Sequence, residues 1–404
     1  MEKLKNIPSL RFPEFNGNWE LKRFGEVATN KTGKYNPEKE TESVKCIELE
    51  HLSSESSKLL GFIDGKNSGS IKNKFDKGDV LFGKLRPYLK KYLLTPFEGV
   101  CSSEIWVLKG INISNDFLFR VIQTDKFIDI ANQSSGSKMP RADWSVVENG
   151  VFSFPKLPEQ TKIASFLTSV DDKLQALKQK KTLLGQYKKG VMQKIFSQEL
   201  RFKDDNGNDY PDWEEKKLGD IGETYNGLTG KSKEHFGDGK PYIQYKQIFD
   251  DSKIDISRFE LVKISPTENQ NKVVFGDVFF TVSSETPNEI GTASVLLDDI
   301  QELYLNSFCF GYRASNLYLS PYFSRYLFRN ELFRNQIIKL AQGSTRFNMS
   351  KVQLMKLTVK LPCIEEQTKI ANFLSAIDDK INHCEVQIEK TEVWKKGLLQ
   401  QMFV

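Results

Sequence analysis

Histidine and cysteine are few in this 404-residue chain, three and five residues, and their spacing is wrong for a catalyst. His51, His235 and His383 stand alone. Cys46, Cys101, Cys309, Cys363 and Cys384 are scattered and odd in number, with no Cys-x-x-Cys pair and no histidine at metal-ligand spacing. Cys384 beside His383 is adjacency only, so buried free thiols of a reducing cytosol are expected rather than a metal site. GLTGKS (227–232) resembles a phosphate-binding loop, but Tyr225 stands where its first glycine belongs. PDWEEK (211–216) has the acids of a nuclease Asp…Glu-x-Lys set too close together. No Asn-Pro-Pro-Tyr or Asp-Pro-Pro-Tyr run and no Gly-x-Gly-x-x-Gly loop occurs. The expectation is a non-enzyme with no cofactor and no metal.

Groups suited to binding are better placed. FGKLRPYLKKY (82–92) presents Lys84, Arg86, Lys90 and Lys91 with Tyr88 interleaved, directly after a strand-like run. Flexible cations suit phosphates, and a guanidinium also forks onto a guanine edge. A second loop carries Ser135, Gly136, Ser137, Lys138 and Arg141, and its counterpart in the other half carries Gly343, Ser344, Thr345 and Arg346. Small donors, a cation and a glycine permit close backbone approach to a phosphate. Ser283, Ser284, Thr286 and Asn288 offer polar readers where the other half is basic, and Lys231 is a further candidate DNA contact.

The elements that must carry these loops occur twice. EQTKIASFLTSVDDK (159–173) returns as EQTKIANFLSAIDDK (366–380), 207 residues on; Lys188-Lys189-Gly190 returns as Lys395-Lys396-Gly397. Leu10-Arg11-Phe12 with Trp19 is echoed by Leu200-Arg201-Phe202 with Trp213, and GDVLF (78–82) by GDVFF (276–280). The repeat is a duplicated domain-plus-helix unit, far longer than a solenoid repeat. Between the anchors the halves diverge: FGKLRPYLKKY faces FTVSSETPNEIG. A pair of readers with different targets diverges in the loops that do the reading.

Mixed α/β domains are expected at 1–155 and 200–360, with strands at 80–82, 104–109 and 151–154 and amphipathic helices at 117–133 and 322–342. The aromatic residues of those helices read as core rather than as base-stacking platforms. Spacer helices are expected at 156–199 and 361–404. Their apolar stripes run Ile163, Leu167, Val170, Leu174, Leu177, Leu184, Val191, Ile195 and Ile370, Leu374, Ile377, Ile381, Cys384, Ile388, Leu398, Met402. Lys181, Lys188, Thr391 and Lys395 interrupt them. Five heptads of this kind point to an antiparallel coiled coil with pseudo-twofold symmetry. Glu159–Phe196 holds eight Lys and three acids, Glu366–Phe403 five Lys and six acids, so unlike helices attract. Helices of about 55 Å would act as a ruler between the domains.

Bulk properties agree: 39% hydrophobic residues suffice for cores, and a net charge of +5 is compatible with nucleic acid without arguing for it. No signal peptide or membrane span is legible, so a cytoplasmic protein with no membrane partner is expected.

The LRFPEF…W start, its echo at 200–213, the two EQxKIAxFLxxxDDK blocks and the GDV(L/F)F element resemble the specificity (S) subunit of type I restriction-modification systems. The second copy reads LPCIEEQ where the first reads FPKLPEQ, one proline fewer. The resemblance implies two target-recognition domains held by antiparallel helices, each reading half of a bipartite double-stranded DNA site. It also implies two modification subunits that supply S-adenosylmethionine-dependent methylation, and restriction subunits that add ATP-dependent cleavage. A structural adaptor binding only protein is the rival reading.

Overall fold

The structure is a computed structural model and describes residues 6–40, 42–133, 139–343 and 345–404. The chain forms two compact units: Met1–Gln179 with Glu385–Val404 (the first), and Lys180–Cys384 (the second).

In the first unit, strand Glu20–Arg23 pairs antiparallel with Val151–Phe154. A four-stranded sheet runs in the order Ala28–Thr29, Ile105–Gly110, Val80–Gly83, Tyr92–Leu94. Val80–Gly83 is buried throughout, which is why it reads as an uninterrupted apolar run. Beyond it lies a five-stranded sheet, ordered Lys34–Tyr35, Lys72–Phe75, Gly99–Cys101, Lys45–Ile47, Ile63–Asp64. The expected helix at 117–133 is two, Asn115–Val121 and Asp125–Ala131. The break comes at Thr124, whose hydroxyl accepts from Phe127 N and starts a new helix. Phe117 and Phe127 are core, as expected.

The second unit repeats this frame. Glu214–Lys217 pairs with Thr358–Leu361, and the four-stranded sheet runs Gly222–Asn226, Cys309–Ala314, Val278–Thr281, Ala293–Val295. Pro321–Leu327 and Glu331–Ile338 replace the single helix at 322–342, with Asn330 as the cap that divides them. Their rings Phe323, Tyr326, Phe328 and Phe333 are core, whereas Tyr322 is exposed. The outer sheet differs: three strands, Glu260–Val262, Phe236–Ile243 and Tyr304–Leu305.

Two long helices, Leu157–Phe196 (40 residues) and Ile364–Gln401 (38 residues), each begin in one unit and end in the other. Within each unit a segment of one helix lies antiparallel to a segment of the other, as the pairs Asp171–Lys395 and Lys178–Glu392 in the first unit require. The stripe positions are the less exposed ones along both helices, flanked by exposed residues. In the first unit Phe403 meets Trp19 (6.3 Å) and Phe117 (5.5 Å); in the second, Phe196 meets Trp213 (6.1 Å) and Phe323 (5.6 Å). Each core is thus closed by the end of a helix that began in the other unit. No helix among the described residues is long and apolar enough to cross a membrane.

Candidate nucleic-acid interface

The residues that the two halves share build the frame. Arg11 Nε and Nη2 each donate to the Glu159 carboxylate at 2.7 Å, and Trp19 Nε1 adds a third bond at 3.2 Å. Arg201 and Trp213 hold Glu366 in the same way, at 3.1, 2.8 and 3.1 Å. These hydrogen bonds raise Arg11 and Arg201 above the ordinary guanidinium value. Gln160 and Gln367 accept from Ser114 N and Ser320 N and donate to Pro155 O and Pro362 O, tying each helix start to its domain. In the GDV element, Gly78 and Gly276 take φ +87° and +88°, left-handed conformations that favour glycine. The aspartates that follow are buried: Asp79 accepts from Asp76 N, and Asp277 binds Arg313 and Tyr225. The repeated motifs are therefore structural.

The divergent loops are partly exposed, and in each unit two of them meet. In the first, Arg86 N donates to Pro140 O (2.8 Å), Ala142 N donates to Lys84 O (2.8 Å) and Leu85 bridges Arg141. In the second, Ser283–Ser284 pairs antiparallel with Phe347–Asn348, and Met349 N donates to Val282 O (2.9 Å). The two loop families singled out from sequence thus form one surface in each half. Ser135, Gly136, Ser137, Lys138 and Ser344 lie outside the described residues.

The individual candidates differ in availability. Arg86 is exposed and so is Tyr88, at 52%. Lys84 is half-buried, and Lys90 lies 3.4 Å from Asp125. Lys91 donates to Leu49 O and Arg141 to Glu104, so both are partly committed within the fold. Lys231 is committed outright: its ammonium is held by Glu268 and Lys263 O, with 3% of the side chain accessible. Ser283 and Ser284 are buried, and Ser284 Oγ binds Glu289 and Thr286 N. Thr286, Asn288, Thr345 and Arg346 are exposed. Gly343 has φ +124°, and a Cβ there would meet Arg346 O at 2.2 Å.

Sequence reasoning missed the groups that shape these surfaces. Arg334 in helix Glu331–Ile338 donates to the carbonyls of Asn288, Ile290 and Gly291 at 2.7–2.9 Å and so fixes the 285–291 loop. Arg329 donates to Ala293, Ile248, Phe249 and Asp251 carbonyls, and burial lowers its pKa to about 10. Both are cations turned inward as scaffolding, a use that composition does not reveal. Beside the surfaces lie two further segments: 53–58 in the first unit, joined to Lys90 and Lys91, and helix Tyr245–Asp250 in the second, whose Tyr245 hydroxyl donates to Ser283 O. All five cysteines are free, and no cluster among the described residues has the makings of a metal site.

A family model described as the type I restriction modification DNA specificity domain matches twice, over residues 16–185 and 210–391. The chain belongs to that family. Its two matches coincide with the two halves of the repeat, so the resemblance read from the motifs is borne out. The MjaVIII specificity subunit of a type I restriction enzyme from Methanocaldococcus jannaschii is 26% identical, over 98% of this chain and 94% of its own. The S subunit of a type I restriction-modification system from M. genitalium superposes with a TM-score of 0.55 at 15% identity, covering 98% and 99% of the two chains. A chain from a structure of type I R-M complex assembly and conformational transition gives 0.57 at 21%, covering 95% and 96%. Both structures share the fold of this specificity-family chain: mixed α/β units, internally duplicated, with long helices.

Proposed function

We propose that this chain is the DNA-reading subunit of a type I restriction-modification complex, with each unit reading one half of a bipartite, asymmetric site. In this reading the recognition domains are residues 1–155 and 200–360, and the helices at 156–199 and 361–404 set the spacer and dock two modification subunits. Methylation and ATP-dependent cleavage belong to the partner subunits; this chain catalyses nothing. One observation carries the reading: what the halves share is buried and bonded, and where they differ two adjoining loops bring exposed side chains together. The first pair presents Arg86, Tyr88, Lys90 and Arg141. The second presents Thr286, Asn288, Thr345 and Arg346. A cationic surface and a mostly neutral one suit two different half-sites.

Mapping N6-methyladenine across the genome of a cell carrying this chain with its modification partners tests the proposal. The expected result is a two-part motif with a fixed gap, one part of which changes when residues 16–155 are exchanged for those of another family member. An undivided motif, or one that ignores the exchange, would overturn it.

A further inference from the structure

Six non-glycine residues among those described have φ between +50° and +64°, and four of them, Glu55, Ser57, Arg86 and Lys90, fall in the first unit. They lie on two adjoining loops. Glu55 N donates to Lys90 O at 3.0 Å, Ser54 bridges Lys91, and the Tyr92 hydroxyl lies 3.5 Å from Glu55 O. Ser53 N donates to Lys58 O (3.1 Å) and closes the loop at its base. Left-handed backbone at residues with a Cβ is strained, and it persists where the surroundings over-determine it, as at ligand sites. Glycine or asparagine would hold these conformations at lower cost.

The strained segment presents Glu55 to solvent. Among the described residues no donor is bonded to its carboxylate, although two lysines are next to it in the fold. Lys90 turns to Asp125 and Lys91 to Leu49 O. On a surface that binds DNA, an exposed carboxylate that neither neighbouring lysine neutralises opposes contact with a polyanion. It becomes favourable where the duplex offers a donor, and the cytosine N4 amino group in the major groove is the donor that a carboxylate reads.

We propose that the 53–58 loop is a further base-reading element of the first unit and that Glu55 accepts a hydrogen bond from the N4 amino group of a cytosine in the half-site read there. This rests on the first unit being a DNA reader.

The test uses the full chain, expressed with its modification partners, and methylation of a plasmid library randomised across both half-sites. Glu55→Gln is expected to cut the preference for cytosine at one position of the first half-site by about tenfold, shifting it toward adenine, which an amide reads. The second half-site and the spacer stay unchanged and report that the chain is folded. Glu55→Gly, which relieves the left-handed strain, is expected to keep or raise the Tm while losing the same preference. Unchanged preferences in both variants, a change at a position not occupied by cytosine, or equal changes in both half-sites would overturn the assignment. If exchanging residues 16–155 alters the motif and Glu55→Gln does not, only the role of Glu55 fails. If the exchange alters nothing, the reader itself fails.

Discussion

At the scale of residues, the anchors that made the repeat visible turned out to be locks. Arg11 with Trp19 and Arg201 with Trp213 could be found in the sequence as recurring letters, but nothing in their spacing says that both converge on a glutamate about 150 residues away. That information lies in the tertiary fold. Lys231, a candidate DNA contact by sequence, shows what spacing does not reveal: burial against Glu268 gives its ammonium an internal partner. The lock makes a measurable claim. Glu366 has 0% of its side chain accessible, while Arg201 keeps 24%. Arg201→Ala leaves a buried carboxylate with Trp213 as its one side-chain donor among the described residues, and is expected to lower stability by about 3 kcal/mol, the lower end for a broken buried pair. Chemical denaturation of the full chain measures this. A loss below about 1 kcal/mol, as for a surface pair, would mean that the clamp does not hold the helix start.

At the scale of elements, the interruptions in the apolar stripes acquire a reason. Lys188 and Lys395 stand where a coiled coil wants aliphatic residues, and each meets the first aspartate of a DDK block: Lys188 pairs with Asp378, and Lys395 with Asp171 at 2.7 Å. Domain residues complete both sites, Arg325 and the Tyr326 hydroxyl on Asp378, and Arg120 on Asp171. Polar pairs at seam positions fix register and direction at some cost in stability. The stripes themselves were legible as helices; the meaning of their gaps was not, because it depends on which residue of the opposing helix stands across. Lys188→Ala and Asp378→Ala are each expected to destabilise the chain, and the double variant by less than their sum, with a coupling of about 1–2 kcal/mol. Additive losses in denaturation curves would show that the pair does not set the register. The outer sheets are a second illegible element: five strands in one unit and three in the other follow from divergent segments whose strands, Phe236–Ile243 apart, are two to four residues long.

At the scale of the molecule, the duplication predicted the frame and was right because the same letters recur wherever the frame is buried. It marked the divergent loops as different but was silent on their geometry, because those are the positions where the halves share no letters. What joins the units is legible in both sequence and structure: Leu157–Phe196 and Ile364–Gln401 are unbroken helices that each belong to both units. If they set the spacer, lengthening both must lengthen the gap between half-sites. Seven residues inserted between Gln179 and Lys180, and seven between Cys384 and Glu385, preserve the heptad and add about 10 Å. That corresponds to about three base pairs of duplex. Three base pairs also turn the helix by nearly a third of its period, so the second reader meets its groove from the wrong side and methylation should weaken. Three heptads add about 31 Å, close to one full turn of DNA, and should restore methylation with a spacer about nine base pairs longer and both half-sites intact. Insertion into one helix alone breaks the antiparallel register and should abolish activity. Methylome mapping of the three variants separates the possibilities, and a spacer that stays the same in the three-heptad variant would sink the ruler.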